Sequence, residues 1–527
     1  MSSLALDPVL SCSEALTFEK SFFEGDEEGE WKAMNRAGEA VAEALRMDMR
    51  SKIPQNDRLL ALVGKGHNGG DALVATKHLL ESLPTNVSAV LWPLVPWDEC
   101  RPNLIRALKE LRKAAGERVE ELPCVSESDG LDDLERILDL KTREVGFSAT
   151  LDGLLGMQAK LPLRSPLKDW ISLLNRREDL GVRIAVDLPT GLAGDEPIEH
   201  EDQILRADFT YCTGIVKSPV LRSAVADGVG RLRYLDLGFF ESPDSASFDS
   251  ENFVLGNSAL EAIRALRPAV CDKRSFGHLF LLAGSRNYAG AAMMAAQAAL
   301  KAGVGLLTVG IPESLHPAFA AQRPEAMWIP LPETPDGGLA LEGLGKVRQF
   351  LSKATALATG PGLGTEGETH SLVRETLSIF EGPAVLDADA LNPKILNRVS
   401  FPERLVLTPH AGEFERISEG LNPREYARER GSVLVLKGPH TQVHAKNKSI
   451  HCLGGSSSLA RGGSGDLLTG IIGGLLAKGR FDTLEGALLG VRWHARAAEI
   501  LTLLQGQEAV FATELLDYLS HSFDNDF

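Results

Sequence analysis

The sequence predicts an α/β protein of two domains, each built on a largely parallel sheet. Its 527 residues, 44% of them hydrophobic, exceed what one ordinary core organises and suffice for two domains of about 200–250 residues each. Along both halves, short apolar runs alternate with helical patterns and end in Gly, Asp or Pro, the βα signature of open sheets. Between Phe240 and Asn252 a polar stretch around Pro243 reads as an exposed linker. The expected domains are therefore residues 1–240 and 252–527, with no internal repeat.

Composition narrows the function classes. Lys and Arg number 55 against 72 Asp and Glu, a net charge of −17, which disfavours a broad nucleic-acid surface and suits small ligands held by local amides or lysines. The six cysteines, Cys12, Cys100, Cys124, Cys212, Cys271 and Cys452, form neither a CxxC pair nor a dense framework, which is the usage of a reducing cytosol. No basic n-region precedes an apolar signal segment, and no run approaches the roughly 18 apolar residues of a membrane span. A cytoplasmic protein without membrane or nucleic-acid partners is expected.

In the first half, Trp31, Met34, Ala37, Val41 and Leu45 fall at helical spacing and predict a helix over Glu27–Met49, with Glu24 to Glu30 as its solvated start. Leu59–Val63 predicts a buried strand leading into Gly64-Lys65-Gly66-His67-Asn68-Gly69-Gly70-Asp71 and a helix through Leu80. The GxGxxG spacing at Gly64, Gly66 and Gly69 is weak evidence for a dinucleotide site, because the ribose-binding acid expected about 20 residues later is missing around Ser88 to Pro93. Two further strand ends carry acids. Asp152 opens Asp152-Gly153-Leu154-Leu155-Gly156, and Asp187 follows the strand Arg183–Val186 and precedes Leu188-Pro189-Thr190-Gly191. Carboxyl ends of parallel strands converge, so Asn68, Asp152, Asp187 and Thr190 can meet in one crevice; taken singly, each also reads as a cap or turn residue.

The second half is denser in signals. A strand Leu279–Ala283 runs into Gly284-Ser285 and an Ala-rich helix containing Ala291; a strand near Ala354–Ala358 meets Gly360-Pro361-Gly362-Leu363-Gly364. Ala384–Leu386 ends at Asp387-Ala388-Asp389, and Leu405–Leu407 ends at Thr408-Pro409-His410. Val433–Leu436 leads to Lys437-Gly438-Pro439-His440-Thr441, readable as a lysine offered by a flexible loop or as a solvated hairpin lysine. His410 alone would be an ordinary histidine satisfied by backbone. Finally, Gly462-Gly463-Ser464-Gly465-Asp466 opens an apolar helix, Leu467 to Ala477. A glycine-rich helix start offers free amides and a partial positive charge to a phosphate, whereas Asp466, repelled by that phosphate, reads as a base or hydroxyl contact, with a helix cap as the plain alternative. The combination points to phosphoryl transfer.

These blocks, in this order, resemble the bifunctional nicotinamide-nucleotide hydrate repair enzymes. Cys12 to Phe240, with Ala33-Met34-Asn35-Arg36-Ala37-Gly38 and the Lys217 region, is similar to the epimerase domain; Arg267 to the helix of Trp493 and His494 is similar to the dehydratase domain. The resemblance implies a Rossmann-like three-layer sandwich followed by a ribokinase-like domain. It implies K⁺ held by Asn68, Asp152 and Thr190, with Asp187 catalytic and, like Gly156, in contact with the hydrate. In the second domain it implies that Ala291, Gly364, His410 and Asp466 contact the hydrate, and that Lys437 to Thr441 with Gly463, Ser464 and Gly465 bind ADP or ATP accompanied by Mg²⁺. NADHX and NADPHX would be the substrates, Asp466 the base, and a homo-oligomer the assembly.

Departures from the family pattern are His67-Asn68 in place of two asparagines, Gly156-Met157-Gln158-Ala159 in place of Gly-Thr-Gly-Leu, and Leu459-Ala460-Arg461 in place of Met-Ala-Thr. The second removes a glycine and a hydroxyl where backbone should contact phosphate, which leaves the first half either an epimerase with weakened binding or a purely structural domain. A ribokinase-like small-molecule kinase fused to a non-catalytic binding or oligomerisation module is the competing reading.

Overall fold

The computed structural model describes residues 4, 6–49, 58–125, 130–143, 145–194, 201–241 and 250–523, which divide into two compact units, one of residues 7–250 and one of residues 251–523 together with residues 4 and 6. Of the stretch expected as a linker, residues 242–249 lie outside the described residues.

The N-terminal unit begins with helices α1 (Cys12–Phe23) and α2 (Glu27–Asp48). Asp26 caps α2 through the Glu28 amide, and Trp31, Met34, Val41 and Leu45 form its buried stripe, as their spacing predicts. Strands β1 (Arg58–Val63), β2 (Ser88–Pro93), β3 (Val119–Glu121), β4 (Ala149–Gly153), β5 (Val182–Val186), β6 (Phe209–Thr213) and β7 (Arg231–Leu235) form a parallel sheet in the order β3-β2-β1-β4-β5-β6-β7. Along β1, Leu59, Ala61 and Val63 enter one core and Leu60 and Leu62 the other, so the sheet is buried on both faces. The order reverses between β1 and β4. Ligands of open α/β sheets bind beyond the strand ends at such a point.

In the C-terminal unit, β8 (Asn252–Leu255), β9 (His278–Leu282), β10 (Leu306–Pro312), β11 (Met327–Leu331), β12 (Ala356–Thr359), β13 (Ala384–Leu386), β14 (Leu405–Leu407), β15 (Val433–Leu436), β16 (Thr441–Ala445) and β17 (Lys448–Cys452) follow the order β8-β17-β16-β15-β14-β13-β12-β9-β10-β11. From β15 through β11 all neighbours are parallel, while β15, β16 and β17 make antiparallel pairs. Here the order reverses between β9 and β12.

Helices α3 (Ala289–Lys301), α4 (Ser464–Ala477) and α5 (Thr483–Gln505) share one core with Leu279, Leu281 and Val385, whereas Phe280, Leu282 and Leu386 face the opposite core. The close approach of α3 and α4 depends on glycine. A Cβ on Gly470 would stand 2.1 Å from the Ala295 carbonyl oxygen and 2.7 Å from Ala298 Cβ. Gly470→Ala is therefore expected to lower stability by about 1–3 kcal/mol, as overpacking does. Gly345→Ala, where a Cβ would meet nothing within 4 Å, should leave the urea midpoint unchanged or slightly raised.

Candidate active sites

In the N-terminal unit the predicted residues gather at the β1/β4 reversal. Asn68 lies in the first turn of the helix His67–Ser82 and donates through Nδ2 to the carbonyls of Val186 (3.0 Å) and Leu155 (3.3 Å). Its carbonyl oxygen abuts Gly156, where a Cβ would stand 2.6 Å away. Asp152 accepts from Thr190 Oγ1 (2.7 Å) and the Leu154 amide (3.2 Å) on Oδ1, and from the Thr190 amide (2.7 Å) on Oδ2. Burial, opposed only in part by these bonds, pushes the Asp152 carboxyl up to about 6. Thr190 Oγ1 also accepts from the Leu155 amide at 3.0 Å. Asn68, Asp152, Thr190 and Gly156 thus form one oxygen-lined corner.

Asp187 sits beside them in the left-handed region, at φ 69°. Its Oδ1 accepts from Lys217 Nζ at 2.6 Å, with Thr213 Oγ1 at 3.2 Å, and both members of the ion pair are buried. Burial pulls the Lys217 ammonium down, but Asp187 and Glu19 outweigh it and hold the group above its usual value. Asp71 is buried nearby and raised well above a normal carboxyl, by desolvation first and Asp187 next. Sequence reasoning noted the Lys217 region without its role and gave none to Asp71. A lone lysine directly after the apolar pair Ile215-Val216 was the available signal.

The departures have structural consequences. Met157 packs against the cluster of Leu10, Ala15, Phe18, Ile215, Leu237 and Phe239. His67 contacts Arg101 through Nε2, and burial with that cationic neighbour lowers its pKa. Gly156 itself keeps its place against Asn68.

In the C-terminal unit, helix α4 begins at Gly463, its N-cap, with φ 95° and no side-chain cap bond. A Cβ there would stand 2.5 Å from Met294 Sδ. Asp466 is the third residue of the helix, and among the described residues no side-chain cap bond forms at this helix start, which weighs against the plain cap explanation. Burial first, then Asp387, push its carboxyl up to about 7 against the opposing pull of Lys437. A carboxylate poised there can exchange a proton near neutrality.

Below it, Asp387 follows β13 and is 1% exposed. Its Oδ1 accepts from Lys437 Nζ at 2.8 Å and its Oδ2 from Thr469 Oγ1 at 2.7 Å. Lys437 is thus not a free loop lysine; it is half-buried in an ion pair, 3.8 Å from Glu413 Oε2 as well. Burial tends to lower the Lys437 ammonium, yet Asp387 and Glu413 keep it above its usual value. A Cβ on Gly465 would lie 3.2 Å from Lys437 Nζ, so the ammonium stands against the glycine-rich helix start. Gly438, Pro439 and His440 form the turn from β15 to Thr441 in β16.

The other predicted contacts follow the strand ends. Ala291, in the first turn of α3, faces Gly362, where a Cβ would meet Ala291 Cβ at 2.9 Å. Gly364, φ 78°, donates its amide to Asp389 Oδ2 at 2.9 Å. His410 caps the helix Ala411–Ile417, its Nδ1 accepting from the amides of Gly412 (3.1 Å) and Glu413 (3.3 Å), and this leaves Nε2 to carry the neutral ring's proton. Ser464 Oγ lies 3.3 Å from Nε2 of His494, a buried imidazole that desolvation lowers to about 4. Thr469 and His494 had no assigned role from sequence. Thr469 stands three residues beyond Asp466, one helical turn on, which was the available clue.

Comparison with known proteins identifies the family of the chain. A family model described as NAD(P)H-hydrate dehydratase matches residues 279–521, and one described as YjeF-related protein N-terminus matches residues 31–218. The chain is 34% identical over 512 residues to a bifunctional NAD(P)H-hydrate repair enzyme of Gloeobacter violaceus, covering 92% of this chain and 93% of that one. It is 30% identical over 511 residues to the enzyme of the same name from Moorella thermoacetica, with 93% and 92% covered. An ADP/ATP-dependent NAD(P)H-hydrate dehydratase structure from Bacillus subtilis is 30% identical, covers 50% of this chain and 95% of its own, and superposes with a TM-score of 0.42. With a relative at this identity matched along nearly the full length of both proteins, the chain belongs to the family of bifunctional NAD(P)H-hydrate repair enzymes.

Proposed function

We propose that this protein restores hydrated NADH and NADPH, dehydrating the S hydrate in its C-terminal unit at the expense of ADP or ATP and interconverting the R and S hydrates in its N-terminal unit. One observation carries the dehydratase reading: Asp466 is held near neutrality at a glycine-lined helix start, beside the Lys437–Asp387 pair.

Water is a poor leaving group and phosphate a good one. Asp466 accepts the hydrate's hydroxyl proton as that oxygen attacks the donor's terminal phosphorus, and the bond to the donor's bridging oxygen breaks, releasing AMP from ADP or ADP from ATP. The Gly463, Ser464 and Gly465 amides hold charge on the transferred oxygens. Lys437 and the turn Gly438-Pro439-His440-Thr441 lie against the donor, and Ala291, Gly364 and His410 against the hydrate. Phosphate then leaves with the C–O electron pair, and loss of the neighbouring ring proton restores the double bond. Mg²⁺, when bound with the nucleotide, shields its phosphates.

In the N-terminal unit, the Asn68 carbonyl, the Asp152 carboxylate and the Thr190 hydroxyl offer oxygen donors only, which suits a hard cation. The bonds of Asp152 come from Thr190 and backbone rather than from a cationic side chain, and its buried carboxyl is correspondingly raised, so K⁺ fits the charge the corner lacks. When bound it supplies that charge. Asp187, oriented by Lys217 and Thr213, moves the proton of epimerisation, and Gly156 contacts the hydrate. The close approach of Gly156 to Asn68, which leaves no room for a Cβ, favours a working epimerase despite Met157.

Asp466→Asn should keep the fold and reduce S-hydrate dehydration by about 10²–10⁴-fold, the usual worth of a positioned base. Because only ionised Asp466 accepts a proton, kcat/KM of the parent should rise with pH through a midpoint close to its value of about 7, and this limb should vanish in the variant. Near-normal turnover by a folded variant would refute the assignment. In the other unit, Asp187→Asn should abolish R/S interconversion and leave S dehydration intact. Lys217→Met, which strands a buried carboxylate, should destabilise its unit by about 3–5 kcal/mol, with recovery in the Asp187→Asn/Lys217→Met double variant, read by hydrogen exchange of the β6 amides.

A further inference from the structure

Ser285 follows β9 and Gly364 follows β12, so the two lie on either side of the strand-order reversal in the C-terminal sheet. The Gly284 amide donates to the Pro361 carbonyl at 2.8 Å, drawing the two loops together. A Cβ on Gly364 would stand 3.9 Å from Ser285 Oγ, which brings the hydroxyl within reach of the Gly364 loop. That loop is held on its other side by the Asp389 carboxylate, which accepts from the Gly364 amide at 2.9 Å.

Ser285 is only 5% exposed, yet its Oγ has no hydrogen-bond partner among the described residues. Buried hydroxyls in folded proteins nearly always have one, because leaving the bond unmade weakens the fold. Here the unmet hydroxyl lies just beyond the end of β9, at the strand-order reversal where open α/β sheets bind ligands, beside a glycine already read as a hydrate contact.

We infer that Ser285 is a further substrate-recognition residue, whose hydroxyl hydrogen-bonds a neutral polar group of the hydrated nicotinamide, an amide or a hydroxyl. The nearby Asp389 carboxylate disfavours a phosphate at the same spot. This inference rests on the dehydratase reading and adds to it the residue that distinguishes the hydrate from a less polar ligand.

The test uses the full-length protein with Mg²⁺, ADP and the purified S hydrate of NADH, each substrate varied with the other saturating. Ser285→Ala should raise KM for the hydrate by about two- to tenfold, the range of one neutral hydrogen bond, with KM for ADP unchanged. Its melting temperature should stay level or rise, because an unsatisfied hydroxyl has been removed. Ser285→Thr, which keeps the hydroxyl, should recover the hydrate KM. An unchanged hydrate KM in Ser285→Ala would overturn the inference while leaving the dehydratase reading standing, as would equal rises in both KM values with a lowered melting temperature, the mark of a merely structural role. Failure of the parent protein to dehydrate the S hydrate would overturn the dehydratase reading and the inference with it.

Discussion

Asp387, buried at the end of β13, holds two other elements at once: Lys437 at the end of β15, 50 residues on, and Thr469 in α4, 82 residues on. Through these bonds the glycine-rich start of α4, the Lys437 ammonium and the strand ends assemble into one site. Desolvating a carboxylate this deeply costs several kcal/mol, and it persists because both of its oxygens are bonded and one partner is a cation. The same negative charge, after burial, is what lifts Asp466. A single arrangement therefore both positions the glycine-rich helix start and raises the carboxyl of Asp466, the residue proposed as the base.

The N-terminal unit uses a related solution with other residues. Asp187 is held by Lys217 at 2.6 Å in a buried pair, while Asp152 is held by hydroxyl and amide donors with no ammonium among them. The difference decides their chemistry. The Asp187 carboxylate has its counter-charge within the protein, whereas the Asp152 corner has only hydroxyl and amide donors, which is why we propose a cation for it. Both carboxylates sit where β1, β4 and β5 end, so the sheet order brings together residues far apart in the chain.

Much of this was legible in the sequence because the relevant signals are local. The helical spacing from Trp31 to Leu45 predicts α2, whose bounds are Glu27–Asp48, and apolar runs ending in Gly or Asp predict β1, β4, β9 and β13. Helix α4 starts three residues before Leu467, because Ser464 and Gly465 already adopt helical backbone. What could not be read is pairing across the chain. Lys437 looked free in its turn, although Asp387 captures it, and Asp187 looked like a strand-end acid without its lysine. His410 fulfils the ordinary expectation of a backbone-satisfied histidine while standing among the candidate hydrate contacts. The unpartnered hydroxyl of Ser285 leaves no trace in sequence, since a serine after a strand-end glycine usually means a turn.

The most direct test of the account is to incubate the full-length protein separately with purified S and R hydrates of NADH, K⁺, Mg²⁺ and ADP or ATP, and follow the near-ultraviolet absorbance of the restored dihydronicotinamide. The account predicts nucleotide-dependent recovery from the S hydrate, and recovery from the R hydrate faster than spontaneous epimerisation allows. Absence of recovery from either hydrate, with the protein folded and nucleotide present, would contradict it.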